Sequence, residues 1–214
     1  RAIVLSLSPG PASVEKAWHL SQNANMWRIT NDFWDDWALL KNMFTRCEIW
    51  HSHVGPGCWP DCDMLPLGRI GVKFGQSRQT RFTPDEQKTL LTLWSIFRSP
   101  LILGAELPSL DEATLRLLTN RDVLRLNRHS FGARQIVRDD AHAVWVSQDK
   151  DGSRYAALFN LSEKPREVSL DLRELEGETF ACRELWSGEE RTAQETLSCV
   201  IEPHGARLFR CTEC

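Results

Sequence analysis

Nowhere in these 214 residues is there an apolar run long enough to cross a membrane or to form the core of a signal peptide. No membrane partner is expected. Positive charge is short as well, with 26 Lys and Arg against 29 Asp and Glu and a net charge of −3. That balance is the reverse of the basic footprint with which proteins grip a phosphate backbone, so no nucleic-acid partner is expected. Internal repeats and low-complexity stretches are missing, which excludes solenoids and disordered tracts. The chain also opens on Arg1 rather than Met, and reads as one that starts in the middle.

Tyrosine is nearly absent, a single residue beside nine Trp, more indole than a core of this size needs. Indole faces are what sugar rings stack on. The seven Cys are an odd number, without the even framework of a small disulfide-stapled domain. Cys58 and Cys62 lie near His51, His53, Asp61 and Asp63, but the spacing fits no zinc template, and neither metal nor cofactor is expected. Cys211 and Cys214 have the redox spacing without a following helix, and read as a frayed terminus. What is present is ordinary: 42% apolar and 26% charged residues, enough for a buried core in one large or two modest domains.

Ile3-Val4-Leu5 suits a strand buried on both faces, broken by the loop from Ser6 to Pro11. Met26 to Thr30 is a second strand candidate. Apolar spacing at Trp37, Leu40 and Phe44 then predicts a helix, with Asp35 and Asp36 in its first turn and Asp32 as a possible cap. After a loop from Val54 to Gly75, Thr83-Pro84-Asp85-Glu86 is a capping box opening a helix that stops at Pro100. Leu101 to Gly104 reads as a short buried strand, and Ser109 to Glu112 as a second capping box opening a helix that ends near Asn120. Alternating strands and helices imply a parallel sheet.

Beyond Ser130 the pattern changes to short β-rich segments at 135–137, 143–147, 155–159, 167–170, 179–183, 197–201 and 206–209. Lys150-Asp151-Gly152 reads as a type I′ hairpin turn. The expected organisation is an α/β domain over 1–130 and an antiparallel β-sandwich over 131–214.

In a parallel βα barrel, reactive side chains sit where strands end and loops begin. Asp32 holds such a position, with Arg28 four residues earlier able to orient a carboxylate or hold a hydroxyl. Beside Trp27, Phe33 and Trp34 its carboxyl would be partly desolvated, suiting it to protonate a leaving oxygen. The segment Gly57 to Leu65 adds two carboxylates and a Trp on a loop, for which a solvated acidic surface is the plain alternative.

Three segments, Trp27-Arg28-Ile29-Thr30-Asn31-Asp32, Trp59-Pro60-Asp61-Cys62-Asp63-Met64-Leu65 and Leu93 to Leu101, resemble in order successive segments of the α-galactosidases of glycoside hydrolase family 27. Leu185-Trp186-Ser187-Gly188 and Pro203-His204-Gly205 resemble the end of that family's β-sandwich. The resemblance covers nearly the whole chain. It implies a retaining hydrolase acting on terminal α-linked galactose of an oligosaccharide or glycoconjugate, on a (β/α)8 barrel; the compartment stays open, an extracytoplasmic place, secreted or periplasmic, being compatible with the resemblance. Asp32 matches the general acid/base, Arg28 the sugar-contacting Arg, and Asp63 and Met64 the Asp-Met pair of the sugar pocket, with Trp59 beside them.

Two departures bear on specificity. Pro60 stands where the family carries Asn, and Leu7-Ser8-Pro9 stands where galactosidases carry Cys-Glu-Trp and α-N-acetylgalactosaminidases Cys-Ser-Trp. A small Ser8 leaves room for a 2-acetamido group, so either sugar is open. A third departure is an absence, since no Lys-x-Asp occurs in the sequence to supply the family's nucleophile. The chain is therefore expected to hold barrel strands five to eight and the sandwich, about half of a barrel of about 250 residues. It is expected to be inactive alone, and to need the missing half or to self-associate through open barrel edges. A non-catalytic carbohydrate-binding protein and a chain whose Trp residues are all core are the other readings.

Overall fold

The computed structural model describes residues 3–8 and 10–214, so Arg1 and Pro9 of the sequence reading lie outside the described residues. Two units are distinguished by their internal contacts, one running to Phe82 and resuming over Phe97–Leu118, the other made of Thr83–Ile96 and Thr119–Cys214.

In the first unit three short strands, β1 (Ser6–Leu7), β2 (Met26–Arg28) and β3 (Trp59–Asp61), form a parallel sheet in that order. Helix α1 (Ala17–Asn23) connects the first two and α2 (Trp37–Trp50) the next two. A parallel bridge between Leu65 and Leu103 marks a fourth position, and the whole is a partial (β/α)8 barrel. Side chains alternate across a strand. Trp27 accordingly packs on Trp50 of α2, ring centroids 5.9 Å apart, leaving Met26 and Arg28 to the opposite face.

Pro60 sits mid-strand without breaking it. Trp59 N–H donates to Asn25 O and Ile29 N–H to Asp61 O, so β3 bonds to β2 through its odd-numbered residues. The proline nitrogen points the other way, where no ladder bond is lost. The segment read as a loop from Val54 therefore contains a strand.

Other expectations shift. Ile3 and Val4 are 84% and 72% exposed and precede the strand, which begins only at Ser6; the apolar run is an uncovered edge, not a buried strand. The second strand ends at Arg28 rather than Thr30. Leu101 to Gly104 supplies one bridge, and Ile102 is exposed. Asp36, not Asp32, caps α2, accepting from Ala38 N (2.8 Å) and Leu39 N (3.3 Å). Asp35 lies before the helix, buried, forked by Arg78 Nη1 (2.5 Å) and Nη2 (2.7 Å) and bonded by Arg81 N (2.6 Å). Arg78 lies in, and Arg81 two residues beyond, the return strand of a small hairpin, β4 (Arg69–Ile70) with β5 (Arg78–Gln79).

In the second unit α3 begins at Pro84 on the expected capping box, Thr83 N to Glu86 Oε2 (2.8 Å) and Glu86 N to Thr83 Oγ1 (3.2 Å). It runs to Phe97. In the first unit Asp111, not Ser109, caps α4 (Glu112–Leu118), accepting from Thr114 N at 2.8 Å, while Ser109 closes a 3-10 turn. A helix absent from the sequence reading, α5 (Arg121–His129), starts on Asn120, which accepts from Asp122 N and Val123 N.

The β strands β6 (Phe131–Arg138), β7 (His142–Gln148), β8 (Arg154–Asn160), β9 (Arg166–Asp171), β10 (Thr179–Glu184), β11 (Glu190–Gln194), β12 (Thr196–Ile201) and β13 (Ala206–Glu213) make an antiparallel sandwich. Their ladder order is β6-β7-β8-β13-β10-β11-β12-β9. A single pair, Gln194 with Thr196, joins β11 to β12, and there the sheet turns over on itself. Val168, Leu170, Leu197 and Ile201 from the returning pair then cover Val144, Leu158, Phe180 and Phe209 in one core. Each of the seven sequence segments falls within a strand, and only β11 was not anticipated.

The β7–β8 turn is not type I′, which needs positive φ at both central residues. Only Gly152 has it (φ 90°), following a turn closed by Gly152 N on Asp149 O at 3.1 Å. The terminus is not frayed either: Cys211 is buried in β13 directly opposite Cys182, sulfur atoms 3.0 Å apart, and Cys214 N donates to Thr179 O. The Trp excess divides, with Trp27, Trp50, Trp94 and Trp145 buried in cores and Trp18 exposed.

Candidate active site

Parallel strands bring their carboxyl ends to one edge of a sheet. Continuing the β1–β2 register places Ser8 level with Arg28, and Arg28 is paired with Asp61. These three residues form a row at that edge, with Asp32 and Asp63 just beyond it in the following loops.

Arg28 joins the two carboxylates. Its Nη2 lies 3.1 Å from Asp32 Oδ1 and its Nη1 2.9 Å from Asp63 Oδ1. A planar fork of donors can do this where an ammonium could not. The second Asp63 oxygen accepts from Phe33 N at 2.7 Å, so both its oxygens are engaged. Asp63 is thus held in one position through both oxygens.

Asp32 is placed differently. Its side chain is 86% exposed, touching Arg28 through one oxygen. The partial desolvation expected beside Trp27, Phe33 and Trp34 is not there, because Trp27 and Phe33 turn into the core. Since Asp36 caps the helix, Asp32 is not spent on capping.

The other carboxylate of the Gly57–Leu65 segment, to which the sequence assigned no role of its own, supports the cluster from below. Asp61 is buried, and its Oδ1 accepts from Asp63 N at 2.8 Å. Burial pushes its carboxyl above the usual range, and the charge of Asp63 adds to this, while the Asp63 amide and Arg28 oppose it. The same hydrogen bond holds Asp63 in the left-handed region (φ 76°), a strained conformation for a residue with a Cβ, and so aims its carboxylate at Arg28 and Phe33. The Asp-x-Asp spacing was the available signal.

The remaining candidates lie at the margins. Met64 follows Asp63 and lies against the backbone of Gly104. Trp59 is not brought into the cluster: it sits at the start of β3, paired with Met26, about 6 to 7 Å back along the strand. The guanidinium of Arg98 lies over its ring, 4.7 Å from the centroid. Ser8 is exposed at the sheet edge. Among the described residues no group of three or more His, Cys, Asp or Glu could hold a metal, and no helix is long and apolar enough to cross a membrane.

Chemically, the arrangement offers one solvent-facing carboxylate, held to Arg28 through a single oxygen, that can give and take a proton, beside one fixed carboxylate and a cation that can bind hydroxyls.

Comparison with known proteins gives concordant results. Residues 10–129 match the family model described as alpha galactosidase A, and 139–211 that of the alpha galactosidase C-terminal beta sandwich domain. Alpha-galactosidase D of Emericella nidulans is 32% identical over 194 residues, 87% of this chain and 28% of that protein. Alpha-galactosidase 2 of Arabidopsis thaliana is 26% identical, over 88% of this chain and 46% of that protein. The crystal structure of a family 27 β-L-arabinopyranosidase from Geobacillus stearothermophilus superposes with a TM-score of 0.96 at 49% identity, covering all of this chain and 51% of that one. The chain thus spans about half, or less, of the length of these relatives.

Proposed function

The chain belongs to glycoside hydrolase family 27, the α-galactosidase family, and from that membership we propose that it is the carboxyl-terminal portion of a retaining α-galactosidase-type hydrolase. Residues 1–130 are its share of the barrel and 131–214 its sandwich domain. The observation that carries this reading is the Arg28 fork, which joins Asp32 to Asp63 at the carboxyl edge of the sheet. Arg28, Asp63 and Met64 hold the sugar, with Ser8 beside its 2-position; Trp59, set back along its strand, backs the pocket.

Asp32 donates its proton to the glycosidic oxygen as the bond to the anomeric carbon breaks and a carboxylate nucleophile bonds to that carbon. Asp32 then takes a proton from water, whose oxygen displaces the nucleophile and releases the sugar. Asp63, pinned through both oxygens by Arg28 and the Phe33 amide, is assigned to sugar binding rather than to attack. The nucleophile comes from residues outside this sequence.

The test is complementation. Alone, the chain is expected not to hydrolyse 4-nitrophenyl α-D-galactoside. Mixed with the part of the Geobacillus enzyme that it does not cover, it should do so, and Asp32→Asn should lower kcat by roughly 100-fold or more. Turnover by the chain alone overturns the reading, and sugar binding without turnover in the complemented protein would make it a carbohydrate-binding protein instead.

A second reading of the sugar rests on the 49% identity to the Geobacillus arabinopyranosidase over the whole chain. β-L-arabinopyranose has the galactose ring configuration without the exocyclic CH2OH. The ratio of kcat/KM on the nitrophenyl α-D-galactoside, β-L-arabinopyranoside and α-N-acetylgalactosaminide decides among the three.

A further inference from the structure

Two of the cysteines meet in the middle of the sandwich. Cys182 of β10 and Cys211 of β13 are twenty-nine residues apart in sequence, yet their sulfur atoms lie 3.0 Å from each other, both buried in the sandwich core.

The ladder fixes how their backbones stand. Leu185 N–H donates to Leu208 O at 2.7 Å and Cys214 N–H to Thr179 O at 3.1 Å, and in an antiparallel pair the hydrogen-bonded positions recur at every second residue. Thr179, Ala181, Arg183 and Leu185 are therefore the bonded positions on this side. Cys182 and Cys211, in register with each other, form a non-hydrogen-bonded pair. Such pairs bring the α-carbons to about 4.5 Å and the side chains closest together. A disulfide spans α-carbons about 4.4 to 6.8 Å apart, so the two thiols can join without any shift of register. The other close pair differs: Cys47 of α2 and Cys62 after β3 have sulfurs 3.6 Å apart, but they lie on a helix and a loop, and no ladder sets the distance between their backbones.

The position in the sheet gives such a bond leverage. Strands β13 and β10 are the fourth and fifth of eight in ladder order. A bond between them closes a loop that holds β11 and β12, which are joined to each other by the single pair Gln194–Thr196. The covalent loop encloses the thinnest ladder of the sheet.

We propose that Cys182 and Cys211 are a site of oxidation, closing to a disulfide that staples β10 to β13. The oxidant is a small-molecule or protein disulfide. One cysteine thiolate attacks a sulfur of that disulfide, forming a mixed disulfide and expelling one thiolate; the second cysteine thiolate attacks the chain's own sulfur in the mixed disulfide and expels the other. Two electrons pass from the cysteines to the oxidant, and the two protons they lose end on its two thiols. Because both sulfurs lie inside the core, the bond forms while the strands assemble, and the closed core then shields it from thiol reductants.

The full chain carrying Cys214→Ser, so that the last tryptic peptide holds Cys211 alone, is refolded from urea with oxidised and reduced glutathione, alkylated under denaturing conditions and digested. Refolding opens both thiols to the oxidant before the core closes. Peptide 174–183 is expected to be linked to 211–214, and in Cys182→Ala the link should vanish and leave Cys211 alkylated. Cys182 and Cys211 both recovered alkylated, or either one held on glutathione, overturns the site. The amides of Arg183 and Arg210, at the adjoining bonded pair, should exchange with deuterium roughly ten-fold more slowly in the oxidised chain than in the reduced one. Equal rates overturn the staple.

Discussion

A proton donor needs mobility and a substrate holder needs fixity, and the two carboxylates on Arg28 differ in that respect. Asp32 has one oxygen on Arg28 and the rest in solvent, whereas Asp63 is pinned through both oxygens and through its own backbone. The pinning depends on Asp61. Asp61→Ala frees the Asp63 amide and lets its backbone leave the left-handed region, and the carboxylate moves with it. A displacement of about 1 Å costs on the order of 100-fold in turnover. We expect that loss in kcat/KM of the complemented enzyme, with Asp61→Asn, which keeps the accepting oxygen, recovering most of it. Equal losses in the two variants would show that the charge of Asp61, not its hydrogen bond, is what matters. Of this site, Arg28 and Asp32 were legible because four residues separate them. The Phe33 amide on Asp63 was not, since thirty residues intervene and no local rule connects them.

At the scale of elements, what was legible followed periodicity and caps. Leu40, Phe44 and Trp37 marked α2, and the Thr83–Glu86 box marked the start of α3 to the residue. What was not legible lacked a pattern to read. Strand β3 is three residues with a proline in the middle; α5 buries only Val123 and Leu126 among charges; β11 buries only Ala193. Their places are set by tertiary partners, as when Arg125 of α5 forks onto Asp149 at 2.9 and 3.2 Å.

The hairpin's anchor makes a pH-dependent prediction. Burial would raise the Asp35 carboxyl, but hydrogen bonds from Arg78 and the Arg81 amide outweigh it and hold it below the ordinary value. A depressed carboxyl stabilises the fold above the ordinary range, near pH 4, and loses that contribution as pH falls through its folded value. Asp35→Asn should therefore cost about 3 kcal/mol at neutral pH. In urea unfolding, the difference from wild type should hold steady above about pH 5 and shrink below about pH 4. A difference independent of pH would place the stabilisation in packing.

For the whole molecule, the decisive surface is the free edge of β1. Ile3 and Val4 stand exposed before a two-residue strand whose outer side has no partner among the described residues. Such an edge pairs with whatever strand is offered. In light scattering after gel filtration the chain alone should run as a dimer or larger, and Val4→Lys should shift it toward monomer. A monodisperse wild-type monomer would count against this. Added nucleophile-bearing half should compete with self-association, since both would use the same edge.

The facing thiols of the sandwich supply a clock. Cys182 and Cys211 meet across β10 and β13 inside the core, and the neighbouring sulfur together with burial keeps the Cys211 thiol protonated well above its usual range. Since only the thiolate attacks, and only from an open ladder, alkylation of Cys211 is silent until those strands part. The rate at which it appears measures how often the central strands of the sandwich open while the rest of the fold persists.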